Sequence, residues 1–306
     1  MNFIMCADFI LDDINEYVEN LLASLKEIFL RGLREACINT YTGLFNEARE
    51  TTSAAAADLL VTPESMFPGV YEIISRIAET VFLPVAGIIL VCILSYETVS
   101  MMAESNRMKE FGPADVFVLI VKMLVGVMLL SHATDLVNTC FKIGQWAVGQ
   151  AGIEVDDTAL GERMENIIET VNQTTNIFEM VWYIVLGALM KLVILGLGIA
   201  VKLAVWMRFV ELYLFVVSAP IPFSTFLNKE WGQVGMNYLR KILSLAFQPV
   251  YMAVCFAIFT GILGMSGTGE GSSLLWELTK ALAAMCILVL ALFKTGSVAD
   301  SIFNAH

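Results

Sequence analysis

Between Asp8 and Arg34 the apolar residues Ile10, Ile14, Tyr17, Val18, Leu21, Leu25, Ile28, Phe29 and Leu33 return at helical spacing, the pattern of an amphipathic helix. The opposite face carries Asp12, Asp13, Glu16, Glu19 and Lys26, too many charges for a membrane span. Such a stripe packs on its own domain, lies on a membrane surface or packs on neighbouring subunits, and the pattern is compatible with all three. A weaker helical pattern runs from about Glu35 to Leu60, and the segment from Pro63 to Pro68 ends it.

From Val81 onward the pattern changes to long apolar runs, and runs of 18 or more such residues read as membrane-crossing helices. The first span is Val81 to Met102, with Pro84 near its start, where a missing N–H costs least. A short connection with Arg107 and Lys109 leads through Gly112-Pro113 to a second span, Ala114 to Val137, after which residues 140–150 continue with amphipathic spacing. The segment from Gly152 to Thr170 holds six acidic residues, Glu154, Asp156, Asp157, Glu162, Glu165 and Glu169, against Arg163, and reads as a solvated loop. Ile177 to Phe209 would be about 50 Å long as a helix, more than the hydrocarbon thickness of about 30 Å, so one long helix emerging at Lys202 and Arg208 is expected. Next, VELYLFVVSAPIPFSTF places only about nine apolar residues before Ser218, and Pro220 and Pro222 then interrupt the helix. That is the signature of a broken or re-entrant element, tolerated at membrane depth only inside protein or beside water. Two further spans, Ile242 to Met265 and Leu274 to Phe293, are joined by SGTGEGSS, and Pro249 is expected to kink the former.

Composition agrees with residence in lipid. Of 306 residues 58% are hydrophobic and 16% charged, against about 25% charged in soluble domains. A net charge of −12 argues against nucleic-acid binding over the surface as a whole. The charge is uneven, however: residues 1–80 hold thirteen acidic and five basic residues, while residues 201–241 hold five basic and two acidic. With five spans, Lys and Arg in the connections decide orientation. An outside N-terminus puts Arg107, Lys109, Lys202, Arg208, Lys229, Arg240 and Lys241 on the cytoplasmic side and only Lys142 and Arg163 outside, so N-outside and C-cytoplasmic in the cell membrane is expected. No basic n-region opens the chain, which starts MNFIMCADFILDD, so no signal peptide is expected.

Ionisable residues within spans are functional candidates, because isolated charge at the bilayer centre costs at least about 2.5 kcal/mol. Here they are Lys122, His132, Asp135, Lys191, Glu211, Glu277 and Lys280. Most sit near a span end, where snorkelling or pairing serves them. Lys191 is the exception, fourteen residues from Ile177 and eleven from Lys202. It is expected to face protein or water, as a cation paired across a subunit contact or lining a pore. Together with Ser218, Pro220, Pro222 and Ser224 at the helix break, it forms the candidate pore or subunit-contact set. Lys202, Arg208, Lys229, Arg240 and Lys241 form a candidate basic cytoplasmic collar, attracting phosphate of nucleic acid or of anionic lipid. The six cysteines are scattered without CxxC, and no GxSxG, HExxH or P-loop occurs. No catalytic residue, metal or cofactor is expected, and the protein is read as a non-enzyme.

The succession of amphipathic N-terminal region, first span, short basic turn (SNRMKEFGPADVF), second span, acidic outer segment and long helix running through WMRFVELYLFVVSAPIPFSTF into NKEWG resembles TrbL-type conjugal-transfer proteins. These are the VirB-class polytopic inner-membrane channel components of type IV secretion systems, and the resemblance is greater to the smaller representatives from Gram-positive conjugative elements. It extends over roughly residues 65–300. The resemblance implies a homo-oligomeric channel subunit that helps pass DNA or protein substrate across the membrane. Other secretion-system subunits and separate ATPases would be its partners, with phospholipid around it. Large family members carry extra domains, no counterpart of which is expected in these residues, so nothing assigned to those domains transfers.

The expected fold is therefore all-α, a polytopic transmembrane helix bundle of about five spans plus a re-entrant or broken helix and an N-terminal amphipathic helical region. Its divisions are residues 1–80, amphipathic and extracytoplasmic; 81–140, the first transmembrane hairpin; 141–176, the acidic outer loop; 177–241, the long helix, broken helix and basic connection; and 242–306, the C-terminal hairpin and short tail. An assembly scaffold without a conduit is the alternative. A secondary transporter is disfavoured, because its inverted repeats call for two broken helices and one is evident.

Overall fold

The computed structural model describes residues 2–108, 113–152, 158–228, 230–265 and 274–305. Lys109, Lys229, part of the acidic segment (153–157) and the SGTGEGSS connection (266–273) lie outside them. Among the described residues every regular element is helical. They are α1 (Asn2–Asp58), α2 (Pro63–Met66), α3 (Pro68–Ile77), a π-helical turn (Ala78–Phe82), α4 (Leu83–Met108), α5 (Pro113–Ser131), α6 (Ala133–Ala151), α7 (Thr158–Gln173), α8 (Ile177–Ser218), α9 (Pro220–Thr225), α10 (Gly232–Met265) and α11 (Leu274–Phe303). Five segments among them are long and apolar enough to cross a membrane: Pro68–Ala103, Pro113–Ser131, Ile177–Ser218, Gly232–Leu263 and Leu278–Phe303. The protein is an all-α multi-pass membrane bundle.

The chain forms two compact units. One comprises Met1–Glu50, Asp156–Gly198 and Ile262–Met285, and the other Thr51–Val155, Ile199–Gly261 and Cys286–His306.

In the first unit the two helical stretches expected within residues 8–60 are a single helix, α1, because no proline interrupts the chain before Pro63. Its residues Cys37, Tyr41, Leu44, Phe45 and Ala48 make a buried stripe at spacings of three and four. α8 lies against this part of α1. The Tyr41 hydroxyl donates to the Tyr183 carbonyl at 2.8 Å, Arg34 donates to the Thr174 carbonyl at 3.5 Å, and a Cβ on Gly187 would stand 3.0 Å from the Tyr41 ring. The bare backbone at Gly187 therefore admits the aromatic ring. Burial pushes the Cys37 thiol up to about 11 and raises Tyr41 well above the ordinary phenol value. From Thr158 the acidic segment is corrected from loop to helix: α7 buries Ile167 and Val171 and leaves Glu165 and Glu169 exposed, so these two acids lie on the solvated face of an amphipathic helix.

In the second unit the proline-bounded turn after α1 is held by side chains that satisfy its carbonyls. Gln145 donates to Val61 O at 2.6 Å and Tyr213 to Pro63 O at 2.7 Å. Thr62 caps α2 by accepting from Ser65 N at 3.2 Å, with Pro63 next to it at the first helical position. Pro84 widens the preceding turn. The Leu83 N–H reaches back five residues to Ala78 O, relieving the clash that the proline ring makes with the carbonyl four positions before it. The second span ends earlier than expected, at His132 (φ −110°, ψ 17°), and α6 continues as a separate helix. A Cβ on Gly144 would fall 1.8 Å from Ala246 O, so glycine is what lets α6 and α10 touch backbone to backbone. Gly152, at φ +56°, closes α6 in the left-handed region. The C-terminal tail is helix as well, α11 reaching Phe303, and α10 runs on through Pro249.

Candidate functional site

The strongest sequence signal, the break near Ser218, exists. α8 ends at Ser218, Ala219 turns, and α9 restarts with Pro220 at its first position, where a missing N–H is harmless. α9 packs against α4, α5 and α6, with Ile221 against the cluster of Ala86, Leu90 and Leu130. Pro220, Phe223, Ser224 and Thr225 are buried. The hydroxyls turn inward on their own helix: Ser224 donates to Ile221 O at 2.6 Å, Thr225 to Pro222 O at 2.8 Å and Ser218 to Leu214 O at 3.0 Å. Phe223 stands edge-on to Tyr238, centroids 5.8 Å apart. On the far side Gly235 allows the approach of α10, since a Cβ there would meet the Phe226 ring at 2.7 Å and Pro222 O at 2.8 Å. Asn228 then opens α10, its side-chain oxygen accepting from Glu230 N at 2.8 Å and Trp231 N at 3.0 Å. Within one copy of the chain, Pro220 and Ser224 of the break face protein, while Ser218 and Pro222 are half-buried.

Beside it lies a polar cleft of about 300 Å³ that includes Tyr96, Glu97, Ser100, Asp115, Lys122 and Glu230 in its lining. The Lys122 ammonium pairs with Glu97 Oε1, and Tyr96 donates to Glu230 Oε2 at 3.0 Å. Glu97 is only 8% exposed, and its Oε2 has no hydrogen-bond partner. Two helices with little other charge thus bring a carboxylate and an ammonium together at a polar cleft. Lys122 was a candidate from sequence, whereas Glu97 and its neighbour Glu230 were not. Glu97 stood in plain view as a carboxylate inside the first apolar run, at SYETV.

The remaining candidates lie apart. Lys191 rests on bare helix backbone, its Nζ 3.2 Å from where a Gly43 Cβ would be. Lys241 is clamped by Asp300 at 2.7 Å and Glu211 at 3.2 Å, and Ser244 donates to the same Asp300 at 2.7 Å. Arg208 is 2% exposed, and its Nε and Nη1 lack hydrogen-bond partners. Lys202 and Arg240 are half-buried. Near the C-terminal hairpin, Lys280 lies over the Trp276 ring, 5.6 Å from its centroid. His132 contacts Asp135 at 3.5 Å. No group of His, Cys, Asp and Glu able to hold a metal occurs among the described residues.

The sequence model of the TrbL/VirB6 plasmid conjugal transfer like protein family matches residues 48–220, more than half of the chain. The chain belongs to this family. The match takes in the first two spans, the Glu97–Lys122 pair and all of α8, and it stops at Pro220, short of the NKEWG segment. No curated protein and no solved structure matches the chain. As a TrbL/VirB6 family member with five helices, among the described residues, long and apolar enough to cross a membrane, the protein is a multi-pass membrane component of conjugal transfer that works with other subunits of that machinery.

Proposed function

We propose that this family member is a channel subunit of a conjugative type IV secretion system, a homo-oligomer that helps pass DNA or protein substrate across the cell membrane with energy from separate ATPases. The observation that carries the reading is the family match laid over the two spans that hold a charged pair at a polar cleft. In this reading the N-terminus is outside and the C-terminus cytoplasmic, following the seven-to-two distribution of Lys and Arg. The chain belongs with the Gram-positive conjugative elements. Lys191 and the Ser218–Ser224 break serve as subunit-contact positions, and the half-buried Lys202 and Arg240 supply the charge of the basic collar, near lipid phosphate or transferred DNA. The working test reconstitutes the purified complex into planar bilayers alongside a mating assay in a deletion strain. Ion conductance that Lys122→Met alters, with transfer lost in the same variant, supports the channel; absent conductance from an intact complex sinks it.

The burial of Pro220, Phe223, Ser224 and Thr225 favours a second reading, a membrane scaffold of the same machine without a conduit. That reading expects deletion of the chain to dissolve the membrane complex, while no current is recorded from the purified protein.

A further inference from the structure

α1 changes character along its length. From Cys37 onward it is buried in a stripe, whereas the apolar residues Tyr17, Val18, Leu21, Leu22, Leu25, Ile28 and Phe29 are between 45 and 70% exposed. The sequence from residue 4 to residue 31 has its own period. Ile4, Ala7, Leu11, Ile14, Val18, Leu21, Leu25 and Ile28 alternate spacings of three and four without interruption, a heptad seam with Ile4, Leu11, Val18 and Leu25 at a and Ala7, Ile14, Leu21 and Ile28 at d. Four heptads of apolar a and d positions specify a coiled coil. The seam stops where Gly32 falls at a and Glu35 at d, just before the helix docks on its own chain at Cys37.

We infer that residues 4–31 assemble with the same segment of further copies of this chain into a parallel coiled coil of more than two strands. Three observations choose this occupant. First, the charges are placed for it. Of the eight between residues 4 and 31, Asp12, Asp13, Glu16, Glu19, Lys26 and Glu27 fall at the outer positions b, c and f, leaving Asp8 and Arg31 at the flanks. In-register copies therefore bring little like charge face to face. Second, a lipid surface is the wrong partner. The segment carries six acids and two bases, while helices lying on anionic membranes carry Lys and Arg on the polar face. Third, the strand number follows from the core. Leu at a with Ile at d, as in Leu11/Ile14 and Leu25/Ile28, shifts assembly beyond dimers, and Ile10, Tyr17, Leu22 and Phe29 at e and g widen the apolar face to meet two neighbours. Copies inserted in one membrane share one orientation and are related by rotation about its normal, so their N-terminal helices run parallel. The segment is about 42 Å long at 1.5 Å per residue. The inference does not rest on a conduit, since a scaffold has the same use for it.

The test uses the full chain in membranes, with Cys6 and Cys92 replaced by Ser and single cysteines introduced along the helix. Oxidative disulfide yields at Val18→Cys, Leu21→Cys, Leu25→Cys and Ile28→Cys are expected to exceed those at Glu19→Cys, Ala23→Cys and Lys26→Cys by at least about tenfold. Adding Leu21→Glu should reduce the Ile28→Cys yield about tenfold while the thermal melt of the protein is unchanged. Yields without a seven-residue period, products with a different chain, or positions reached only by a lipid-soluble thiol reagent would each overturn the inference. Loss of conductance or transfer alone bears on the channel reading and leaves the cross-linking pattern intact.

Discussion

The broken helix α9 and the Glu97–Lys122 cleft lie in the same unit, yet they handle polarity in opposite ways. α9 turns its hydroxyls back onto its own carbonyls, buries Pro220 and packs Ile221 on an apolar cluster. The cleft keeps a carboxylate oxygen unpaired at the edge of an opening that also carries Asp115 and Glu230. A proline pair announces that a helix stops, which says nothing about whether water reaches the stop. A charge inside an apolar run is different, because it must find a counter-charge or water, and here Glu97 finds Lys122 through one oxygen while the other stays buried and unpaired.

The largest effect should come from prying α9 loose. Gly235→Leu places a side chain where the Phe226 ring and Pro222 O already stand, and a backbone oxygen yields only if α9 moves. A loss of more than about 3 kcal/mol is expected, seen as a lowered melting temperature or failed membrane insertion. A variant that melts like the parent would mean that the break is loosely held and open to solvent, erasing the contrast.

The ion pair comes next. Lys122→Met strands Glu97 with both oxygens unpaired and should cost about 3 kcal/mol, while Glu97→Gln should cost less, since Lys122 can turn into the cleft. The double variant Glu97→Gln/Lys122→Met should regain most of the stability. If it also regains conjugal transfer, the pair is structural; transfer that stays lost in a stable double variant places the cleft in the transport step.

This difference also explains what sequence reading reached. The five spans were legible because lipid demands length and the absence of charge, and each apolar run met both conditions. The family was legible through the succession of spans and the long helix ahead of SAPIPFS. The single helix from Asn2 to Asp58 was harder to see, since its two halves follow different stripes, one uncovered and one packed. Glu97 was lost because a run of twenty-odd apolar residues absorbs one carboxylate without changing its average, and its meaning depends on Lys122, twenty-five residues away on another helix. Likewise the clamp on Lys241 depends on Asp300, in what had looked like a tail.

Thiol chemistry sharpens the same comparison at smaller scale. Ser100→Cys, on the cleft lining, should react with a charged maleimide at least about tenfold faster than Ser224→Cys, an activation difference of about 1.4 kcal/mol. Cys37 supplies the internal standard for a sealed thiol. Its value near 11 leaves little thiolate at neutral pH, and thiolate is the nucleophile. Equal rates at positions 100 and 224 would show water reaching α9.

The smallest effect is the most pointed. Ser224→Ala removes a donor that serves only Ile221 O, three residues back on the same short helix. Such local bonds compete with the helix's own backbone bonding and add little. The melting free energy should therefore change by less than about 0.5 kcal/mol, and a mating assay should return the parental transfer frequency. A tenfold fall in transfer with an unchanged melt would mean that the hydroxyl meets something other than its own helix during transport. The sealed appearance of α9 would then describe one state of the protein, and the broken helix would join the charged cleft as part of the path.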